Sequence, residues 1–114
     1  MATYSGAVFR AIAEPTRRQL LDELARGARP AGALASKFPS SRPAVARHLR
    51  VLRDARLVRV RRQGRHQIYE LTPRPLRAVR SWIERYEVFW SERLEELARY
   101  VEKAERPEKG RSGS

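Results

Sequence analysis

Residues Ser41 to Leu71 read SRPAVARHLRVLRDARLVRVRRQGRHQIYEL, and this stretch decides the fold. A serine opens a helix whose apolar positions, Val45, Leu49 and Leu52, fall on one side while arginines fill the other. Ser41 is the expected N-cap and Pro43 is tolerated in a first turn, so the helix is expected from Arg42 to about Ala55. Leu57-Val58-Arg59-Val60-Arg61 alternates as a strand, Gln63-Gly64-Arg65 makes a turn, and Gln67-Ile68-Tyr69-Glu70-Leu71 returns as a second strand. Between Arg42 and Arg65 stand nine arginines and one acid, Asp54. A helix followed by a basic hairpin is what a winged helix-turn-helix uses to enter a DNA major groove and touch the flanking backbone.

Working outward, Gly6 to Ala13 carries Val8, Phe9 and Ile12 as a short helical stripe, which Glu14-Pro15-Thr16 breaks. Arg17 to Arg26 shows Leu20, Leu21 and Leu24 at helical spacing, with Gly27 as its stop. Ala28 to Pro30 reads as a connector, and Ala31 to Phe38 as a third helix with Leu34 and Phe38 facing the core. Pro39-Ser40-Ser41 is the turn before the fourth helix. Beyond the hairpin, Thr72-Pro73-Arg74-Pro75 punctuates the chain. Leu76 to about Ala104 is one long helix, with a stripe at Val79, Ile83, Tyr86, Trp90, Leu94, Leu97 and Val101 that Trp82 and Phe89 widen. The final RPEKGRSGS has no apolar anchor and is expected to be disordered. The expected fold is mainly α with a two-stranded β-hairpin. Residues 1–74 form a winged helix-turn-helix, 75–105 a C-terminal dimerisation helix of the same compact domain, and 106–114 a disordered tail.

The chain has 114 residues, 41% of them apolar, enough for one small core that gains from a partner subunit. Its net charge of +12 points to a polyanion. The charge is segregated: Ser81 to Glu105 holds seven acids against four bases, so the positive excess lies in the middle of the chain. There is no cysteine, hence no disulfide framework and no thiolate metal site. No apolar run approaches the roughly 20 residues of a membrane span, and the N-terminus lacks the pattern of a signal peptide, so a cytoplasmic location is expected.

The candidate DNA-binding residues follow from spacing. Arg42, Ala46 and Arg50 share one helix face at i, i+4 spacing and Arg47 adjoins it, with Ser41 at the helix head. Arginine can bond two acceptors of guanine, and a small Ala46 permits close approach or contact with a thymine methyl. His48 is expected to bond a phosphate or backbone group. In the hairpin, Arg59, Arg61, Arg62, Arg65 and His66 exceed the charge needed to keep an edge strand soluble. Arg61, Arg62, Arg65 and His66 are taken as backbone contacts. Two histidines, His48 and His66, cannot fill a four-ligand zinc site without carboxylates, the only acids near them in sequence are Asp54 and Glu70, and no nucleophile elbow, paired acids with a partner base or Gly-rich phosphate loop is present. No metal, no cofactor and no enzymatic activity are expected. Trp82, Tyr86, Phe89 and Trp90 read as dimer core before they read as a small-molecule pocket.

The segment PAGALASKFPSSRPAVARHLRVLRDARLVRVRRQGRHQIYEL, together with VFRAIAEPTRRQLLDEL before it, resembles the ArsR-type winged-helix repressors of bacteria. The resemblance runs from about Ala7 to Tyr100, and AVARHLRVLRDARLV is its most specific part. It implies a homodimeric repressor with the fourth helix in the major groove and the hairpin as wing. The first and last helices would form the dimer interface, through Val8, Phe9, Ile83, Tyr86, Phe89, Trp90, Leu94, Leu97 and Val101. Metal-sensing members carry cysteines in the helix represented here by Gly32 to Lys37, or His and acidic ligands on the last helix. This chain has Ala33, Leu34 and Ala35 in the first place and no histidine after His66, so it resembles a branch without metal ligands.

The expected function is sequence-specific regulation of transcription from double-stranded DNA, with occupation of a promoter excluding polymerase. Any effector would be an organic ligand at the aromatic helix or a partner protein. A nonspecific architectural nucleoid protein would share the charge without sequence preference. A winged-helix adaptor between proteins would share the fold but lack the steep salt dependence of phosphate binding.

Overall fold

The computed structural model describes residues 2–113, with side chains described for residues 6–104. Its elements in order are α1 (Ala2–Ile12), α2 (Pro15–Ala25), β1 (Arg29–Pro30), α3 (Ala31–Ser36), α4 (Arg42–Asp54), β2 (Val58–Gln63), β3 (His66–Leu71), a 3₁₀ turn at Arg74–Leu76, and α5 (Arg77–Gly113). The chain divides into two compact units, one ending at Arg80 and the next beginning at Ser81. The division falls later than residue 74 because Leu76 of the 3₁₀ turn and Val79 at the start of α5 pack on the core of the first unit.

That core is built around α4. Val45, Leu49 and Leu52 are buried along one side of it, against Val8 and Ala11 of α1, Leu20, Leu21 and Leu24 of α2, Leu34 of α3, and Leu57 and Val58 at the start of the wing. Local chemistry sets where each helix begins and ends. Ser41 has extended backbone, and its hydroxyl accepts from the Ala44 N–H at 3.3 Å, which caps α4 as expected. Glu14 does the same for α2, its carboxylate accepting from the Arg17 N–H at 3.0 Å. The sequence did not announce this cap, because glutamate is not among the usual N-cap residues.

The end of α4 fixes the wing. Arg56 sits in the left-handed region at φ 63°, with its N–H bonded to the Arg53 carbonyl at 2.9 Å. The Leu57 N–H reaches back to the Leu52 carbonyl at 3.0 Å. These two bonds and the paired burial of Leu52 and Leu57 make a Schellman motif, here with arginine in the position that glycine usually takes. The chain therefore leaves α4 straight into β2. β2 and β3 then pair antiparallel, with Arg59 opposite Glu70 and Gln63 opposite His66. The connection is Gly64-Arg65, with Gly64 at φ 61°, the first central position of a two-residue hairpin turn that glycine permits.

The hairpin is the larger part of a three-stranded sheet in the order β1-β3-β2. β1 corrects the expectation of a plain connector over Ala28 to Pro30: Arg29 pairs with Tyr69 and Pro30 with Ile68. A proline is accommodated because β1 is an edge strand and needs no donor on its outer side. This short strand joins the start of α3 to the wing.

One further expectation changes. Val8 is fully buried in the core of its own unit and has no exposed surface to offer a partner. The last helix is assigned from Arg77 to Gly113, and the expected disorder of 106–114 falls outside the residues whose side chains are described.

Leu52 is fully buried and holds both α4 and the start of the wing. Leu52→Ala is expected to lower unfolding free energy by about 2–5 kcal/mol. A urea titration at fixed protein concentration measures it, and a loss under about 1 kcal/mol contradicts this central placement.

Candidate nucleic-acid interface

The outer side of α4 carries the expected row. Ser41, Arg42, Ala46, Arg47 and Arg50 are all exposed, and none of them contributes to the core. α3 and α4 are joined by the turn through Pro39 and Ser40 and pack against each other. Small residues on both helices keep the approach to this face open. Ala31, Gly32 and Ala35 of α3, with Arg42, Val45, Ala46 and Leu49 of α4 and Tyr69 of β3, line a hollow of about 200 Å³. A second hollow of about 310 Å³ lies over Pro43, Ala46, Arg47 and Arg50, where an apolar dimple is flanked by two guanidinium groups. Such a surface offers both a donor pair for guanine and a seat for a thymine methyl.

The wing divides its charge between two faces. Arg59 and Arg61 share one face of β2, and Glu70 of β3 serves both: Arg59 Nε lies 3.0 Å and Arg61 Nε 3.4 Å from its Oε1. Arg61 also donates to Gln63 Oε1 at 2.8 Å. Arg61 therefore starts from an ion pair, which the sequence reading placed simply among backbone contacts. Arg62 points to the other face, and with Arg65, His66 and Gln67 it lines a hollow of about 390 Å³ closed by Pro30, Ala31 and Gly32. β1 is what brings the α3 start to this basic hollow, and nothing in the sequence pattern of two residues signalled it.

His48 differs from its neighbours on α4. It is half-buried, and its Nδ1 lies 3.2 Å from Arg17 Nη1 and its Nε2 4.0 Å from Glu14 Oε2. The guanidinium of Arg17 also donates from Nε to the Ala11 carbonyl at 2.7 Å and from Nη2 to the Arg10 carbonyl at 3.1 Å. Arg18 donates to the Ile12 carbonyl at 2.8 Å. Two cations thus close the C-terminus of α1, where the helix dipole favours them. Desolvation raises the Glu14 carboxyl, but the backbone N–H groups of Arg17 and Thr16, together with the Arg17 guanidinium, outweigh it and hold the group below its ordinary value.

Among the described residues no three His, Asp or Glu side chains gather as metal ligands. Among them, too, no helix is long and apolar enough to cross a membrane. The second unit is helix alone. Along it Tyr86, Phe89, Trp90, Leu94, Leu97 and Val101 are 43–64% exposed, while Ile83 is half-buried. Trp82 meets Tyr86 edge-on at 5.5 Å between centroids, and Tyr86 leans on Phe89 at 6.5 Å, so the aromatic side chains form a continuous strip. Phe9 of α1 is half-buried.

Residues 12–61 match the family model described as a helix-turn-helix domain. The HTH-type transcriptional regulator Rv2034 of Mycobacterium tuberculosis is 39% identical over 104 residues, 90% of this chain and 94% of that protein. The transcriptional repressor SdpR of Bacillus subtilis is 37% identical over 76 residues, 67% of this chain and 84% of that protein. A crystal structure of an ArsR family transcriptional regulator matches with a TM-score of 0.71 at 30% identity, over 80% of this chain and 94% of that one. The solution structure of a homodimeric winged helix-turn-helix DNA-binding domain from Mycobacterium bovis matches with a TM-score of 0.62 at 27% identity, over 83% and 85% of the two chains.

The depressed Glu14 carboxyl has a consequence for stability. A group whose value is lowered by folding stabilises the fold above its unfolded value and loses that contribution as pH falls through the folded one. Glu14→Gln lacks the contribution at every pH. The gap in urea midpoint between wild type and Glu14→Gln is therefore expected at pH 7 and should narrow as the pH falls through the carboxylate range. A gap that widens toward acid reverses the assignment.

Proposed function

This chain belongs to the ArsR family of winged helix-turn-helix transcriptional regulators, and from that premise we propose that it is a homodimeric, sequence-specific repressor acting by occupation of promoter DNA. The observation that carries this reading is the exposed row Arg42, Ala46, Arg47 and Arg50, on a helix whose opposite side is fixed in the core. α4 would lie in the major groove with Arg47 at a base edge. Arg62, Arg65 and His66 would take the flanking phosphates, and Arg61 would join them where phosphate competes with Glu70. Repression is supported by the likeness to SdpR, which is itself named a repressor.

A homodimer is supported by the homodimeric relative from Mycobacterium bovis and by the aromatic strip of the last helix. A strip of this width in water is a large apolar patch, and burial against a second copy removes it at about 25 cal/mol per Å². Phe9, Ile83, Tyr86, Phe89, Trp90, Leu94, Leu97 and Val101 would form that interface. Two subunits would then read two half-sites one DNA turn apart, about 34 Å. The absence of cysteine supports control without a thiolate metal switch. Control would come from protein level, an organic ligand at the aromatic strip, or a partner protein. The place of action would be the cytoplasm, on the nucleoid DNA.

Selection of bound sequences from random duplex DNA gives the operator and tests the reading directly. Arg47→Ala is then expected to cost about 1–3 kcal/mol per half-site on the operator, with a smaller loss on random DNA. Equal losses on both would show a phosphate contact in place of base readout. Arg62→Ala combined with Arg65→Ala should weaken binding to all sequences and lower the salt slope of a dimer by roughly 3–4 units. An unchanged slope would mean that the wing points away from DNA. Leu97→Arg should give monomers in sedimentation at micromolar concentration and weaken operator binding; a dimer that survives this change would move the interface off the last helix.

A further inference from the structure

We infer that His48 is a positioning residue for base recognition, held by Arg17 as the neutral ring protonated on Nε2, and makes no DNA contact of its own. The inference rests on the DNA reading of α4 given above.

The tautomer follows from the chemistry of its neighbour. A guanidinium has five donors and no acceptor. Arg17 Nη1 lies 3.2 Å from His48 Nδ1, so Nδ1 must present its lone pair and the ring proton must sit on Nε2. Nε2 faces Glu14 Oε2 at 4.0 Å. Nδ1 is thus committed to Arg17, while Nε2 is beyond hydrogen-bond distance of Glu14 and has that carboxylate as its nearest charged neighbour. The nearby Glu14 carboxylate also disfavours an approaching anion.

Arg17 is itself held in place. Its Nε and Nη2 are committed to the carbonyls of Ala11 and Arg10, at 2.7 and 3.1 Å. Its backbone N–H is committed to the Glu14 carboxylate at 3.0 Å. With two guanidinium nitrogens fixed by backbone, the direction of the third is fixed as well. The hydrogen bond to His48 therefore ties α4 to the corner between α1 and α2.

This tie supplies what the apolar core does not. Burial of Val45, Leu49 and Leu52 is non-directional and tolerates a small rotation of the helix, whereas a hydrogen bond is directional. A rotation of only 10° moves atoms at the outer helix surface by about 1 Å. That is enough to spoil bidentate contact from Arg47, the neighbour of His48 in sequence.

Two measurements decide it. Nitrogen-15 NMR of the free protein at pH 8 is expected to show His48 as the Nε2–H tautomer; an Nδ1–H ring overturns the lock. Binding to the selected operator and to random duplex is then compared for His48→Ala and His48→Asn. Asparagine Oδ1 stands where Nδ1 stood and can accept from Arg17. We expect His48→Ala to lose about tenfold in the operator-to-random ratio with an unchanged salt slope, and His48→Asn to stay within about threefold of wild type. A reduced salt slope in either variant identifies a phosphate contact and overturns the proposal, as does an Asn variant no better than Ala. If His48→Ala melts below the assay temperature, Arg17→Lys, which keeps the charge and loses the fork, carries the same expectation. A wild type with no sequence preference overturns the DNA reading itself, while the tautomer, read without DNA, still decides for or against the lock.

Discussion

Everything in the first unit depends on α4 being buried along one side only. Val45, Leu49 and Leu52 are each no more than 2% exposed, and α1, α2, α3 and β2 all pack against this helix. The chain cannot expose that side without losing its core, so the arginine side must face solvent. The Schellman closure at Arg56 and Leu57 extends the constraint to the wing, since the strand leaves from a residue buried beside Leu52. One packing decision thus orients both basic surfaces.

The charge of the molecule is filtered by a few acids. Glu23 lies within 4.0 Å of Arg26, Arg29 and Lys37, a cluster that ties α2 to β1 and to the end of α3. Glu70 does similar work on one face of the wing with Arg59 and Arg61. Pairs this exposed add little to stability. Their larger effect is on where the field remains: cations at Arg42, Arg47, Arg50, Arg62 and Arg65 have no carboxylate partner among the described ion pairs, and all but Arg42, which lines the smallest hollow, border the two basic hollows.

Much of this was legible because long periodic signals survive folding. Leu20, Leu24, Leu34, Val45, Leu49 and Leu52 were readable as core from spacing, and the Ser41 cap and the Gly64 turn from residue type. What escaped was short or long-range. β1 is two residues with a proline, too brief for any alternation, and only β3 makes it a strand. Glu14 as a cap, and the bond from Arg17 to His48 across 31 positions of sequence, are tertiary facts with no local pattern. Val8 shows the same limit on a smaller scale: a three-residue stripe gives an apolar face but not its partner, and the partner proved to be the unit's own core.

The two-sidedness of α4 bears on how such a protein changes over generations. Ala46, Arg47 and Arg50 are exposed and lie outside the core, so substitutions there leave folding nearly untouched, as surface changes usually do. The recognised sequence can therefore drift, or be redirected after gene duplication, without passing through unstable intermediates. Proteins sit close to their stability threshold, and a reading surface decoupled from the core frees adaptation from that limit. His48 is the exception on this helix, joined at once to the scaffold and to the aim of its neighbours, and it is where divergence should be slowest.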